Sequence, residues 1–514
     1  MSWCRSGPEV KKVLEGQRVH RKKAHKFKLA LFDIKRAHFY GKAEREVFVD
    51  LEEEDRKAHG ADKCGRLLKS MYGTQDASSI WQRDYTALLQ EHTYEKGRSN
   101  SAVFFSNESQ GRVIVHGDDF LILGTQETID AFEKMLATKY EYKKLFNIGT
   151  DQGDCNSGIF LNRVLELRRE PKGTWNLTLE PDARHAQIII EQLGLHNDRT
   201  GVEMPNEKRS SEQQHRDAQS KALNSRDTAL YKSAVMRAAY LAQDRIDINE
   251  SMKSLARCMA EPNEAVVQRL RRLGRYLVKY PNVVRDFPEQ SLPNELVIMV
   301  DTDFAGCALT RKSTTGLIAK FGKATIKHSS NLQSTVSLSS GEAEYYGLVK
   351  GGSVGLGLRS LLEDWGLEAK IEIRSDSSAA RGHVKRRGLG AMRHIQTRYL
   401  CLQERLAEGH LSVGAIAGKV NPADILTRAV CGVAIRKTCS KLGFRTAEES
   451  KLQKAAAQDP KAEATLYYLN SSTEGRSTGR WQKPSGRRTR GLEEEDPAAV
   501  AAGGSRSAER TGSA

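Results

Sequence analysis

The sequence has few cysteines and no long hydrophobic run. Its eight cysteines among 514 residues form no CxxC pair and have no histidine at zinc-ligand spacing, so they are predicted to be ordinary reduced thiols. No stretch of about 18 apolar residues is present, which argues against a membrane-spanning helix. The opening residues MSWCRSGPEVKK lack the apolar core of a signal peptide. We therefore expect an intracellular protein in the cytoplasm, the nucleus or both, with no membrane partner.

Basic residues outnumber acidic ones by a wide margin. The chain has 81 Lys and Arg against 65 Asp and Glu, a formal net charge of +16. Nucleic acid is the first partner to expect, because neutralising phosphates releases condensed counterions. The alternative, that the excess charge lies on solvated helix faces and a disordered tail, stays open. At roughly 150 residues per domain, the length suggests about three globular units.

Composition and periodicity divide the chain into six segments. Residues 27–196 and 291–445 alternate strand-like runs with helical patterns, which predicts two α/β (α+β) domains with mixed sheets. The remaining segments are a basic N-terminal segment at 1–26, a solvated linker at 197–227, a helical connector at 228–290 and a disordered tail at 446–514.

Two adjacent acids, Asp118 and Asp119, lie inside the apolar run VIVHGDDFLIL. Burying them is costly unless a cation compensates, although a tight turn whose acids face water is the alternative. Asp33 ends a separate strand-like run, LALFD, and three acids can then converge. Carboxylates that hold two divalent cations serve in-line phosphoryl displacement, so polymerase chemistry becomes a hypothesis.

Three motifs resemble those of copia-type reverse transcriptases, in the same order. They are DIKRAHFYG beginning at Asp33, KSMYGTQDASSIW beginning at Lys69 and HGDD beginning at His116. The resemblance implies a partial palm domain within residues 27–196 that performs RNA-directed DNA synthesis. It also implies that Asp33 and Asp118 bind two Mg²⁺ ions per active site, with Asp119 in support.

The same resemblance implies substrate contacts. Tyr72 and Gly73 match the nucleotide- and template-facing segment, and His38 stands where the family has an aromatic residue that screens the 2′-hydroxyl of the sugar. Deoxynucleoside triphosphates are the implied substrates. Because the chain starts just before Asp33, the fingers of such an enzyme are nearly absent, and we expect weak or no primer extension.

A second set of acids begins with VIMVDTDFAG, where a strand-like run ends at Asp301 and Asp303 follows on the same side of an extended chain. In SSGEAEYYGLVKG, Glu342 and Glu344 fall at a helix start, where the helix dipole favours negative charge. Helix capping is the alternative role for these glutamates.

Two further acids complete this pattern. The strand-like run IEIRSD ends at Asp376, and NPADILTRA puts Asp424 near a helix start, again with capping as the alternative. Acids that follow two strands and begin two helices of one domain can surround a two-metal site.

Together with RKSTTG and RHIQTRYLCLQERLAEGHLSVGAI, these segments resemble the copia-type ribonuclease H over residues 296–430. The resemblance implies that two Mg²⁺ ions are bound by Asp301, Glu344, Asp376 and Asp424, with Glu342 the weaker candidate for the second position. The implied reaction is hydrolysis of the RNA strand of an RNA–DNA hybrid, with water activated at one ion and the 3′-oxygen stabilised at the other.

Other polar residues have two interpretations each. Arg311 and Lys312, with the basic run 385–387, are candidates for contacts with substrate phosphates, although solvated surface is the default for any one of them. His394 lies near the last motif and could assist proton transfer or product release, or could have no role.

The resemblance covers residues 27–445, including the connector with its RIDI segment at 245–248. It implies the C-terminal part of a copia-type retrotransposon Pol polyprotein, with RNA, DNA and RNA–DNA hybrid as partners. A homodimer, or missing parts of the polyprotein, are further candidates. The alternative is a catalytically decayed or co-opted descendant that binds nucleic acid through its basic surface.

Overall fold

The computed structural model describes residues 27–450, with the exception of 61, 172, 198, 199, 391–394 and 396. The basic segment 1–26, nearly all of the tail predicted at 446–514, and His394 therefore lie outside the described residues.

The strands of the described residues are numbered in chain order. They are β1 (Lys28–Ile34), β2 (Phe48–Asp50), β3 (Cys64–Arg66), β4 (Glu95–Lys96), β5 (Val103–Phe105), β6 (Arg112–His116), β7 (Asp119–Gly124), β8 (Tyr142–Ile148), β9 (Ser157–Phe160), β10 (Arg163–Arg169), β11 (Trp175–Glu180), β12 (Val283–Pro288), β13 (Glu295–Thr302), β14 (Thr314–Phe321), β15 (Ala324–Leu332), β16 (Lys370–Ser375), β17 (Ser412–Ala415) and β18 (Phe444–Thr446).

Helices separate these strands. The α-helices are Glu53–His59, Ala77–Glu91, Gln126–Ala137, Arg184–Gln192, Ser211–Ala218, Ser225–Leu241, Asn249–Ala256, Glu264–Lys279, Ser340–Glu363, Ser378–Val384, Cys401–Ala407 and Gly432–Lys441. Short 3₁₀ turns span Ala37–Tyr40, Ile246–Ile248, Thr397–Leu400, Gly418–Val420 and Pro422–Leu426.

The first sheet has the strand order β4-β5-β6-β7-β1-β8, and β1 pairs antiparallel with both β7 and β8. Strand β1 is apolar on both faces because both faces are covered. Phe32 packs into the main core with the helices Ala77–Glu91 and Gln126–Ala137, whereas Leu31 faces a second core with Phe146. A strand that is buried on two sides needs apolar residues at successive positions, which accounts for the continuous apolar run LALF.

The middle sheet has the order β18-β12-β11-β10-β9 and draws its strands from three of the predicted segments. A cluster of helices packs beside it, and their apolar side chains share one core. In the helix Glu264–Lys279, Leu270, Leu273 and Leu277 recur at helical spacing and are all buried.

The third sheet has the order β15-β14-β13-β16-β17, with β16 parallel to β13 and β17 parallel to β16. The helix Ser340–Glu363 crosses this sheet closely because glycines face it. A Cβ atom at Gly351 would lie 3.0 Å from the side chain of Val300, and one at Gly355 would lie 2.9 Å from that of Ile371. This close packing fixes the helix start beside the ends of β13 and β16.

The predicted α/β class is confirmed. The structure differs at the segment predicted as a linker, which contains the helix Ser211–Ala218. That helix begins with a capping box, in which Ser210 Oγ accepts a hydrogen bond from the Gln213 amide at 3.2 Å and Gln213 Oε1 accepts one from the Ser210 amide at 2.9 Å. Among the described residues, no helix has both the length and the apolar character needed to span a bilayer.

Candidate active sites

Three of the predicted acids meet at one edge of the third sheet. Asp301 lies near the end of β13, and Asp376 directly follows the neighbouring parallel strand β16. Glu344 lies in the helix Ser340–Glu363, which starts at the same edge. One carboxylate oxygen from each of Asp301, Glu344 and Asp376 lies within 4.8 Å of the other two. In the described part of the chain, this is the one group of three or more potential metal ligands so close together.

The donor set of this cluster suits a hard divalent cation. All three groups offer carboxylate oxygens, the ligands that Mg²⁺ and Ca²⁺ prefer, and the set includes neither sulfur nor imidazole. Three like charges at this separation repel one another unless a cation or protons compensate. The residues present therefore fit a divalent ion.

Burial and mutual repulsion perturb two members of the cluster. Burial, reinforced by the charges of Asp424 and Asp376, raises the pKa of Asp301 to about 6, although a hydrogen bond from Thr427 opposes this shift. Burial, reinforced by Asp301 and Asp376, raises the pKa of Glu344 to about 7. Perturbed carboxyl groups of this kind are typical of functional sites.

Glu342, the other candidate for the glutamate position of the site, makes hydrogen bonds that stabilise the helix start. Its side chain is buried, accepts a hydrogen bond from the Leu338 amide at 2.7 Å and accepts another from the Tyr346 hydroxyl at 2.7 Å. Its own amide donates to the N-cap residue Ser339 at 3.1 Å. Glu342 thus supports the helix start, while Glu344 is the glutamate in the cluster.

The fourth predicted acid, Asp424, lies close to the cluster but outside the group of three. It stands in the 3₁₀ turn Pro422–Leu426, and its Oδ1 atom pairs with Arg428 Nη2 at 2.6 Å. Its charge raises the pKa of Asp301, so the two carboxylates are near enough to interact. Asp303 is not part of the cluster, since its side chain accepts a hydrogen bond from the Thr314 amide instead.

The predicted phosphate contacts lie in loops. Arg311 and Lys312 belong to the β13–β14 connection, which starts beside Asp301 and turns back through a hydrogen bond from the Cys307 amide to the Lys312 carbonyl at 3.2 Å. The basic run 385–387 is exposed and follows the helix Ser378–Val384.

The acids of the first sheet lie at the β6–β7 hairpin and on the neighbouring strand β1. Asp33 pairs in register with Asp119 across β1 and β7, and Asp118 occupies the hairpin turn, where its carbonyl accepts a hydrogen bond from the Ile34 amide at 2.9 Å. Gly117 has a φ of +66°, which explains a glycine at this turn. Burial, with the charges of Asp118 and Asp33, raises the pKa of Asp119. These three acids are neighbours but are not among the groups whose ligand atoms meet within 4.8 Å in the described residues.

The predicted substrate residues of this region adjoin one another. The rings of His38 and Tyr72 are in edge-to-face contact, with centroids 4.4 Å apart, and Tyr72 also contacts Phe39. Tyr72 is about half exposed, and Gly73 beside it has a φ of +93° with no atom near the position of a Cβ.

Sequence reasoning did not single out several residues that hold these sites. Trp81 donates from Nε1 to the Gly117 carbonyl at 2.8 Å and so supports the hairpin turn. Thr427 donates to Asp301 Oδ2 at 2.5 Å, and Arg428 pairs with Asp424. The spacing of four residues between Asp424 and Arg428 does not by itself indicate that pair, because the turn that holds Asp424 ends at Leu426.

Comparisons with known proteins agree with the motifs. A family model described as reverse transcriptase (RNA-dependent DNA polymerase) matches residues 22–153. The retrovirus-related Pol polyprotein from transposon TNT 1-94 of Nicotiana tabacum is 27% identical over 407 residues, covering 77% of this chain and 29% of that protein. The Pol polyprotein from transposon RE2 of Arabidopsis thaliana is 24% identical over 424 residues, covering 80% of this chain and 27% of that protein.

Two solved structures are also similar. The foamy viral protease-reverse transcriptase in complex with RNA/DNA hybrid is 11% identical, with a TM-score of 0.42, and the match covers 76% of this chain and 44% of that chain. LC11-RNase H1 isolated from compost is 17% identical, with a TM-score of 0.17, covering 26% of this chain and 93% of that chain. This chain spans less than a third of the length of the Pol polyproteins described above. The resemblance to copia-type Pol polyproteins that the motifs predicted is therefore confirmed, and residues 22–153 are the part that matches the reverse transcriptase family.

Proposed function

We propose that the chain hydrolyses the RNA strand of RNA–DNA hybrids at the cluster of Asp301, Glu344 and Asp376. The observation that carries the proposal is the convergence of these carboxylates from two parallel strands and one helix start, within 4.8 Å of one another. Structural acids are normally paired with cations or used as caps, as Glu342 is. A group of three at a sheet edge, with no direct ion pair to a described residue, fits a site for divalent cations such as Mg²⁺.

Each side chain has a distinct part in this proposal. Asp301, Glu344 and Asp376 would hold the cations, with Asp424 as the fourth ligand, and Thr427 fixes the orientation of Asp301 through its hydroxyl. When bound, paired Mg²⁺ ions supply charge stabilisation for an in-line phosphoryl displacement. Arg311 and Lys312 stand in the loop that begins at this site, where they can contact the phosphates of a bound strand.

A hybrid-cleavage assay on the full chain tests this function. With Mg²⁺ present we expect cleavage of the RNA strand, and Asp376→Asn should lower the rate by roughly 100-fold or more, since even second-shell changes at metal sites cost 10- to 100-fold. Hybrid binding should change little. Glu372→Gln is the matched control, because Glu372 lies on β16, the strand that precedes Asp376, but pairs with Arg374. Equal rates for the two variants would contradict the proposed site.

The same assay separates the enzyme from a descendant that only binds nucleic acid. If the chain binds the hybrid without Mg²⁺ and cleaves it at no enzyme concentration, the decayed or co-opted alternative is favoured. In that case the net charge of +16 would account for binding.

We further propose RNA-directed DNA synthesis at Asp33 and Asp118, with Asp119 in support. The family match over residues 22–153 and the register of Asp33 with Asp119 support this proposal. Primer extension with deoxynucleoside triphosphates on an RNA template is the test. The expected extension is weak, and its loss in Asp118→Asn but not in the surface control Asp130→Asn would support the proposal, whereas extension that survives Asp118→Asn would refute it.

RNA, DNA and RNA–DNA hybrid are the polymers we propose as ligands. The foamy viral protease-reverse transcriptase has been solved with an RNA/DNA hybrid and with dsDNA. For this chain, the proposal of RNA, DNA and their hybrid rests on the acid cluster and the basic composition. Binding that weakens steeply with added salt would support a phosphate-based interaction.

A further inference from the structure

The backbone that carries Asp424 is fixed tightly to the sheet. The Asn421 side-chain amide donates to the Val300 carbonyl at 2.9 Å, and the Ser330 hydroxyl donates to the Leu426 carbonyl at 2.5 Å. On the other side of Asp301, Gly316 makes room for the turn, since a Cβ there would lie 2.7 Å from a backbone oxygen of the turn and 2.8 Å from the Leu426 side chain. The position of Asp424 near the cluster is thus set by packing, and its side-chain conformation is the remaining freedom.

The carboxylate of Asp424 is held by a cation of the chain itself. Arg428 Nη2 contacts Asp424 Oδ1 at 2.6 Å, and the Arg428 side chain is 66% exposed while that of Asp424 is 30% exposed. Arg428 also interacts electrostatically with Asp301, whose negative charge stabilises the protonated guanidinium. A positive group therefore stands at the edge of the acid cluster, and it engages the acid that lies outside the group of three.

We propose that Arg428 is a positioning residue that competes with a divalent cation for the Asp424 carboxylate. While the guanidinium holds Asp424, the cluster offers three carboxylates, and the fourth becomes a ligand only when the pair with Arg428 opens. The inference rests on the proposed metal-dependent function. It predicts that Arg428 weakens the binding of the cation that uses Asp424. The cation site at Asp424 should therefore fill only at a higher cation concentration.

Calorimetric titration of the full chain with Mg²⁺, and with Ca²⁺ as a non-reactive probe, tests the competition. In Arg428→Gln the weaker of the bound ions should bind about two- to fivefold more tightly, the fold-change that corresponds to losing an exposed ion pair. Arg428→Lys should restore the affinity of the unmodified chain. Arg405→Gln is the matched control, because Arg405 forms an exposed pair with Glu408 away from the cluster.

Cleavage gives a second reading of the same competition. The Mg²⁺ concentration for half-maximal hybrid cleavage should fall in Arg428→Gln by the same factor as the calorimetric Kd. A raised KM for hybrid with unchanged ion affinity would show that Arg428 contacts the substrate instead, and would overturn the competition.

The outcomes distinguish this inference from the proposed function. If ions bind, and Asp376→Asn abolishes their binding, but Arg428→Gln titrates like the unmodified chain, the inference alone is wrong. If neither the unmodified chain nor Arg428→Gln binds Mg²⁺ or Ca²⁺, both the inference and the metal-dependent function are wrong.

Discussion

Removing the buried acid Asp247 should destabilise the protein more than removing both members of its ion pair. The Arg245 side chain is 0% exposed and that of Asp247 is 2% exposed, and their side chains meet at 2.6 Å and 3.1 Å. Tyr276 donates its hydroxyl to Asp247 at 2.9 Å, while Arg245 also donates to the carbonyls of Tyr280 and Pro281. Burial alone would raise the pKa of Asp247, but the guanidinium beside it keeps that pKa below its usual value.

These contacts set the size of the effect. In Asp247→Asn the Arg245 guanidinium stays buried without a counter-charge, which should lower the free energy of unfolding by about 3–5 kcal/mol. The double variant Arg245→Met, Asp247→Leu carries no buried charge. It leaves two carbonyls and the Tyr276 hydroxyl without these partners, at about 1 kcal/mol or more each, but removing both buried charges offsets about 1–4 kcal/mol. We therefore expect a smaller net loss of about 1–3 kcal/mol.

Urea unfolding of the full chain, monitored by circular dichroism, measures the order of the variants. Hydrogen exchange at residues 245–255 would show where stability is lost. Glu53→Gln is the control, since its pair with Lys57 is exposed at both ends and should contribute less than about 0.5 kcal/mol. A double variant as unstable as Asp247→Asn, or less stable, would refute the argument from an uncompensated charge.

Three further predictions concern the pH dependence of stability, the contact between Asp364 and residues 98–100, and the turn that carries Asp424. Burial lowers the pKa of His328 to about 3, below its unfolded value near 6.5, so stability is complete above pH 6.5 and falls as the pH drops toward 3. Between pH 7.5 and 5.5, urea unfolding should show a loss of about 1.4 kcal/mol that His328→Gln lacks. Asp364 accepts hydrogen bonds from the amides of residues 98–100, so Asp364→Ala should speed hydrogen exchange at those amides while leaving β5 protected. Gly316→Ala should weaken Ca²⁺ binding in calorimetry because its Cβ displaces the turn, whereas Gly357→Ala, which meets no atom within 4 Å, should not.

The sequence was sufficient to predict that acids of the third sheet lie at strand ends and at a helix start. Parallel neighbours end at the same sheet edge, and this brings Asp376 beside Asp301. The family resemblance favoured Glu344 over Glu342, but local pattern did not separate them, because both lie at the start of the same helix. Hydrogen bonds from Leu338 and Tyr346 assign Glu342 to the helix start.

Long-range pairing was beyond the sequence pattern. Strand β11 pairs with β12 from Asn176 opposite Pro288, and no local signal records a partner more than 100 residues away. The helix Ser211–Ala218 was missed for a different reason. It is polar on all sides, so it has no apolar periodicity, although the capping box of Ser210 and Gln213 was readable.

The side-chain partner of Asp424 also required the three-dimensional arrangement. A spacing of four residues suggests an ion pair only within a helix, and the turn of Asp424 ends at Leu426. Whether Asp424 turns toward Arg428 or toward the cluster depends on the balance of charges gathered from β13, β16 and the helix start. A one-dimensional pattern does not contain that balance.

The packing below the cluster shows why a fragment cut at the last sequence motif should be less stable than the whole chain. Ile425 and Leu426, which follow Asp424 in its turn, share an apolar core with residues beyond position 430, namely Ile435, Cys439, Leu442 and Phe444. The connector contributes Ile246 to the same core. Each fully buried apolar side chain is worth about 1.5–3 kcal/mol, so ending the chain at 430 removes several such contributions from beneath the acid turn. A fragment of residues 295–430 should therefore bind Ca²⁺ more weakly than the full chain. Equal calorimetric affinities for the two would show that contacts within residues 295–430 are enough to hold the acid turn.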